Sequence, residues 1–201
     1  YPEAATQLNV VAGGDVDFAE KTGNMGLGVI IADGDVRLSA PGDLVDTRSE
    51  ADRAANVPNI TATGDAALDF GGSIGLDGSQ RIVTDVDGTI TATSDGDMNF
   101  DDVGDLVLIA DSASGQINAR AVRDLTLSNI VGDLVVGPIA AGGTADITSV
   151  GSIVAGDRLG EAAQVHANTI RLRADSASGQ IGTPSSAFLV DTDAANGGTL
   201  Y

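Results

Sequence analysis

Residues 64–111 read GDAALDFG, GSIGLDGS, QRIVTDVD, GTITATSD, GDMNFDDV and GDLVLIAD, six units that open on Gly64, Gly72, Gln80, Gly88, Gly96 and Gly104. Each unit starts with a glycine or a polar residue, continues with a small polar residue, and then alternates apolar, any, apolar. Side chains two apart on an extended chain point to the same face, so each unit reads as a short half-buried strand after a corner. Working outward, further units begin at Thr6, Gly14, Gly26, Gly34, Gly42, Gly115, Arg123, Gly132, Gly143, Gly151 and Asn168. The paired apolar slots hold Leu8 and Val10, Val16 and Phe18, Val36 and Leu38, Ile74 and Leu76, and Met98 and Phe100. They continue as Leu106 and Leu108, Leu125 and Leu127, Leu134 and Val136, and Ile170 and Leu172.

Internal repetition of this kind is the signature of a solenoid. Strands of three to five residues are too short for a sandwich, but they suit a coil in which each strand pairs with its counterpart one turn above. Three octads per turn predict an all-β parallel β-helix (β-solenoid) of about eight turns, spaced by roughly 4.8 Å. Glycine is expected at the corners for backbone angles that other residues avoid, and Asp or Ser for bonds back to a nearby amide. Interruptions fall at 19–24, 46–58, 112–114, 137–142 and 156–167, of which 46–58 and 156–167 read as loop insertions into a single domain, 1–201. Within 46–58, Ser49–Asn56 (SEADRAAN) carries a helix-capping serine and predicts one helical excursion. One count resists the scheme. The two copies of ADSASGQI, at 110–117 and 174–181, are separated by a number of octads that is not a multiple of three.

Composition narrows the function classes. The 201 residues carry 29 acidic and 10 basic side chains, a net charge of -19. Such a surface repels polyphosphates, which excludes a nucleic-acid module. No run of 18 apolar residues is present, so no membrane span is expected. The absence of cysteine removes disulfides, thiolate zinc sites and a Cys nucleophile. With aromatics at 3%, the interior is expected to be thin layers of Val, Ile, Leu and Ala.

Candidate chemistry is sparse, and no catalytic or cofactor-binding residue is assigned. Asp85, Asp87 and Gly88 imitate the middle of an EF-hand loop, but Val83 stands at its first ligand position and Ser94 at its bidentate one. Asp101 and Asp102, with Asp95 and Asp97 just before them, remain the candidates for a calcium ion, against a reading as solvated carboxylates. A glycosidase needs two carboxylates across one groove, normally beside an aromatic platform, and that platform is missing. The arginines are scattered, with Arg120 and Arg123, and Arg171 and Arg173, as possible basic spots. His166 is the single imidazole and reads as a loop or strand-edge residue. No helix follows the Gly-rich pieces to make them phosphate cradles.

The copies IADSASGQINA (109–119) and RADSASGQIGTP (173–184), the phrases GDVRLSA, GDLVLIA and RDLTLSN, and IGTPSSAFLVDT (181–192) together resemble the repetitive exoproteins of the filamentous-haemagglutinin type. In that family a G-x-I-G-T-P-x-x-x-h-x-V phrase crosses from one turn to the next. Gly179, Ile181, Gly182, Thr183, Pro184, Leu189 and Val190 approximate it, with one position of slippage. The resemblance implies a right-handed coil within a large adhesin, secreted or on the bacterial cell surface. It also implies a structural rather than catalytic role, and as partner an extracellular ligand or copies of the chain stacked end to end. The alternatives are a β-helical polysaccharide lyase or hydrolase and a self-assembling filament, sheath or surface-layer subunit.

Overall fold

The computed structural model describes residues 7–76, 80–112, 115–156, 163–183, 187–192 and 198–201. Thr6, residues 113–114 of the 112–114 interruption, the Pro184 of the IGTP phrase, and Arg158 with the rest of 157–162 lie outside the described residues. The N-terminal rung consists of β1 (Gln7–Ala12) and β2 (Val16–Ala19), and the next of β3 (Met25–Ala32) and β4 (Val36–Ala40). β5 (Leu44–Asp46), helix α1 (Glu50–Ala54), β6 (Ile60–Ala62) and β7 (Ala66–Phe70) follow. Mid-rod come β8 (Ile82–Val86), β9 (Ile90–Ser94), β10 (Met98–Asp102) and β11 (Leu106–Ser112). Then come β12 (Ile117–Ala121), β13 (Leu125–Asn129), β14 (Leu134–Ala141) and β15 (Thr144–Ser149). β16 (Ile153–Ala155), β17 (Val165–Ala167), β18 (Thr169–Ala174), β19 (Val190–Thr192) and β20 (Thr199–Leu200) complete the chain.

Every pairing between these strands is parallel, as in Leu106 beside Leu125 and Leu125 beside Ala145. One sheet runs β1-β3-β6-β8-β10-β12-β14-β17-β19, with β5 and β16 attached to β3 and β14; the other runs β2-β4-β7-β9-β11-β13-β15-β18-β20. The chain is therefore a β-solenoid of about 7 turns. It has three sides, because the first sheet bends. Met25–Leu27 of β3 pairs with β5, while Ile30–Ala32 of the same strand pairs with β6. In β14 the bend falls at Gly137–Pro138, so residues 137–141 of the expected interruption 137–142 are part of a strand that turns from one side to the next. Likewise Val165–Ala167, at the end of the expected 156–167 insertion, is strand β17.

The turn length varies along the rod. Ala66 lies beside Ile90, Ile60 beside Thr84 and Ile74 beside Met98, each three octads on, as the repeat predicts. Met98, however, lies beside Ile117 and Leu106 beside Leu125, nineteen residues on. In these shorter turns two sides share one bent strand without a separating corner, so the turn holds two units. This resolves the spacing of the ADSASGQI copies: β11, β13, β15 and β18 are successive neighbours, which puts the copies three whole turns apart.

The core is a set of axial columns. Val36, Ala66, Ile90, Leu108, Leu127 and Ile147 stack along one side, and Phe100, Ala119, Ile139 and Val165 along another, all buried. Each buried aliphatic side chain is worth about 1.5–3 kcal/mol, and short strands contribute one or two apiece. Of the expected pairs, Phe18 and Leu76 are each 43% exposed. Ile74 pairs through isolated bridges, to Leu44 and Met98, and Gly75 after it adopts φ +68.

Three corners carry columns of polar side chains that link turn to turn. At the first, Asp15 Oδ1 accepts from the Asp35 amide (2.9 Å), Asp35 Oδ1 from Asp65 (2.9 Å) and Asp65 Oδ1 from Thr89 (2.8 Å). At the second, Asn24 accepts from Asp43, Asp43 from Ser73, Ser73 from Asp97 and Asp97 from Gln116. The third is made of amides: Asn59 Nδ2 donates to the Gly28 carbonyl, Asn99 Nδ2 to Gly75 and Asn118 Nδ2 to Asn99 Oδ1. These columns account for the Gly-Asp repeat. The reaching side chain passes directly over the Cα of the glycine above it, so a Cβ on Gly34, Gly64, Gly72 or Gly88 would collide with Asp15, Asp35, Asp43 or Asp65. None of these four has positive φ; Gly23, Gly75, Gly132 and Gly182 do. The expectation that corner glycines serve unusual backbone angles thus holds at Gly132, with φ +62, and is corrected at these four, which close approach selects.

Gly64 and Gly14 provide a matched test. A Cβ on Gly64 meets the Asp35 carboxylate and the backbone beneath, whereas nothing lies within 4 Å of one on Gly14. Gly64→Ala is expected to cost about 2 kcal/mol through forced displacement, and Gly14→Ala to change stability by less than about 1 kcal/mol. Denaturant unfolding of the two variants measures the difference.

Candidate functional site

The 46–58 insertion folds over the outside of the rod and makes a groove there. Its helix starts as the sequence indicated: Ser49 is the N-cap, and its hydroxyl accepts from the Asp52 amide at 3.2 Å. The insertion is fixed from beneath by a buried ion pair. Arg48 donates from Nε to Asp46 Oδ1 at 2.9 Å and from Nη2 to Oδ2 at 2.8 Å, with both side chains almost fully enclosed. Asn59 Nδ2 adds a third bond to Asp46 Oδ1 at 3.0 Å. Burial alone would raise the Asp46 pKa, but the bonds from the Arg48 side chain and amide and from Asn59 outweigh it and hold the carboxyl below its ordinary 3.8. Asn59 also receives the Val83 amide at 2.9 Å, which ties the returning chain to β8.

The groove, of about 160 Å³, is lined by Arg48, Arg53, Asn56, Arg81, Val83, Asp101 and Arg120. Its floor is a column of outward residues, Val83 on β8, Asp101 on β10 and Arg120 on β12, in adjacent register. Asp101 sits between two guanidiniums, Arg120 Nη2 at 2.6 Å from Oδ2 and Arg81 Nη1 at 3.3 Å from Oδ1. Arg53 Nη1 donates to the Arg48 carbonyl at 2.6 Å, closing the wall. Arg48 Nη1 is buried without a hydrogen-bond partner. Four of the nine arginines thus meet at one place in an acidic chain.

The sequence candidates end up elsewhere. Asp97 is spent in the second corner column on the Gln116 amide, and Asp95 lies exposed at that corner. Asp101 and Asp102 are neighbours on a strand and therefore face opposite ways. Asp102 points inward on the side of Phe100, accepting from Thr84 Oγ1 at 2.6 Å and the Gly104 amide at 2.7 Å. Among the described residues no group of three His, Asp or Glu side chains is placed to hold a metal ion. The basic spots do not form as pairs either. Arg123 bonds Asp105, Arg173 bonds Asp175, and Arg171 lies under the Tyr201 ring with its guanidinium carbon 5.5 Å from the centroid. His166 is mid-strand on β17 and exposed, with Nδ1 3.2 Å from Asp191 Oδ2.

Two measurements follow from the buried carboxylates. Asp46→Ala strands the Arg48 guanidinium in the interior and is expected to cost about 3–5 kcal/mol, read by denaturant unfolding. At Asp102 burial is the largest influence and raises the pKa, reinforced by Asp85 and Asp105 and opposed by the bonds from Thr84 and Gly104. A raised folded-state pKa means that the ionised form costs stability, and that protonation removes this cost as pH falls through the folded value. Asp102→Asn is therefore expected to melt above the parent at pH 7, by a margin that shrinks in a thermal series run down toward the ordinary carboxylate range.

No helix among the described residues is long and apolar enough to cross a membrane. No protein-family model matches the chain, and neither a curated protein nor a solved structure matches it significantly.

Proposed function

We propose that the chain is a non-catalytic structural and adhesive segment of a large secreted or cell-surface bacterial exoprotein, with the rod supplying reach and the insertions supplying contact. The observation that carries this reading is the backbone ladder, in which one sheet runs from β1 to β19 and the other from β2 to β20, with runs of polar side chains linking successive turns at the corners. Such stacking makes a stiff, quasi-one-dimensional body in which each turn depends only on its neighbours. The terminal rungs support extension of the same body. Among the described residues β2 pairs only with β4 and β20 only with β18, and Phe18, Ile181 and Leu200 are all partly exposed there. An unpaired strand edge is a template for another strand, supplied by flanking chain or by a stacked copy. The partner in this reading is an extracellular ligand met by the insertions.

A second reading, a β-helical polysaccharide lyase, draws on the meeting of Arg48, Arg53, Arg81 and Arg120 around Asp101. Incubation with a panel of acidic polysaccharides separates the two. No unsaturated product is expected from any of them, and turnover abolished by Arg81→Ala would replace the adhesive reading with the enzymatic one. For the structural role, the flanking open reading frame is expected to encode a secretion domain or surface anchor. A frame carrying neither, with a product found only in the cytosol, would overturn it.

A further inference from the structure

We propose that the groove beneath the 46–58 insertion binds the carboxylate of a single acidic sugar. The proposal rests on the adhesive reading only in making this insertion a contact site. Four guanidiniums face two carboxylates, and the accounting leaves positive charge unspent. Asp46 is consumed by Arg48, and both oxygens of Asp101 are taken by Arg81 and Arg120. Arg53 forms no ion pair among the described residues, and its bond to the Arg48 carbonyl uses one donor of the five a guanidinium carries. Arg81 and Arg120 each commit one terminal nitrogen. A second, independent observation is the buried Arg48 Nη1, a donor without an acceptor, which is costly unless an oxygen reaches it.

The chemistry of the lining defines what fits. Guanidinium forks match planar carboxylates through paired bonds, and the cradle around Asp101 already has that form. At about 160 Å³ the groove is well below the several hundred Å³ that enclose a drug-sized ligand, so it accommodates one ring or one headgroup. Asn56 adds a side-chain amide suited to hydroxyls, and Val83 is the only aliphatic residue of the lining. The net charge of -19 repels an extended polyanion at long range, whereas a glycan ending in one acidic sugar brings one charge to a local excess of the opposite sign.

The test is a titration of the chain with glucuronic acid, followed by backbone amide chemical shifts, with glucose, acetate and an acidic peptide as comparison probes. Glucuronate is expected to move the resonances around Arg53, Arg81–Val83 and Arg120, and the response should weaken with added salt. Arg120→Ala, at a side chain that is 56% exposed, and Arg53→Ala are expected to weaken binding at least about tenfold. Their melting temperatures should stay near that of the parent, and Arg123→Ala, paired with Asp105 at another corner, should bind as the parent does. Equal binding of glucose, or undiminished binding in both groove variants, would overturn the proposal. Acetate binding as tightly as glucuronate, or an acidic peptide displacing it, would overturn the assignment to a sugar. These readouts concern the chain alone, so their failure is distinct from failure of the adhesive reading, which the flanking frame decides.

Discussion

The rod depends on one contact repeated along its corners: a side-chain oxygen of one turn accepts the backbone N–H of the turn above, over a residue with no Cβ. At most of these contacts a glycine lies in the path of the reaching side chain, its place set by the parallel ladders on either side; between Asp105 and Asp124 the same bond forms with Arg123 in that position. Parallel strands fix the axial repeat at roughly 4.8 Å, a rise that a single Asp, Asn or Ser side chain bridges. A longer side chain would buckle and a shorter one would leave the amide bare. The Gly-Asp dipeptide is therefore one device, and it recurs because the same problem recurs at every turn.

Regular corners leave room for irregular excursions. Residues 47–58 leave the rod between β5 and β6 without disturbing the ladder, since β3 pairs with β5 through its first half and with β6 through its second. A buried ion pair is a weak source of stability, because desolvation consumes much of its Coulombic gain. Its value lies in geometry: Asp46, Arg48 and Asn59 can meet in only one arrangement, which places Arg53 and Asn56 opposite Arg81, Asp101 and Arg120. The groove is the product of two unrelated features, a constrained loop and an outward column of three strands.

Much of the fold was legible because period-two alternation and recurrent glycines are local signals. The strands at Val36–Ala40, Met98–Asp102 and Leu125–Asn129 lie where the apolar pairs put them, and the helix begins at its capping Ser49. The length of a turn was less legible. It depends on where a strand bends without a corner. At Asn99 and Asn118 the inward positions still fall two apart, while at Gly28 and Gly137 they step by three, from Leu27 to Ile30 and from Val136 to Ile139, a single skipped residue that a short repeat does not reveal. The groove was hidden by the same error. Arg81, Asp101 and Arg120 follow one another at intervals of one turn only when the turn holds nineteen or twenty residues; with 24 they fall on different faces. Asp101 and Asp102 were read as a pair because they adjoin in sequence, whereas an extended strand sends such neighbours apart.

The acidity of the chain is best understood from the corners. Stacked carboxylates about 5 Å apart repel by roughly 0.8 kcal/mol per pair in water. Each also accepts a backbone amide, a charge-assisted bond worth about 1.5–3 kcal/mol, so short runs are tolerated. The columns keep the runs short. Asp15, Asp35 and Asp65 end at Thr89, and Asp105 and Asp124 end at Thr144. At the second corner the charged members are interleaved with neutral ones, from Asn24 through Asp43, Ser73 and Asp97 to Gln116, and again from Asp133 through Ser152 to Gln180. A neutral side chain accepts the same amide with less repulsion, and an Asp gives the stronger bond. Alternation secures both and leaves the rod's edges negative, in contrast to the groove at Arg48, Arg53, Arg81 and Arg120, where guanidiniums outnumber carboxylates.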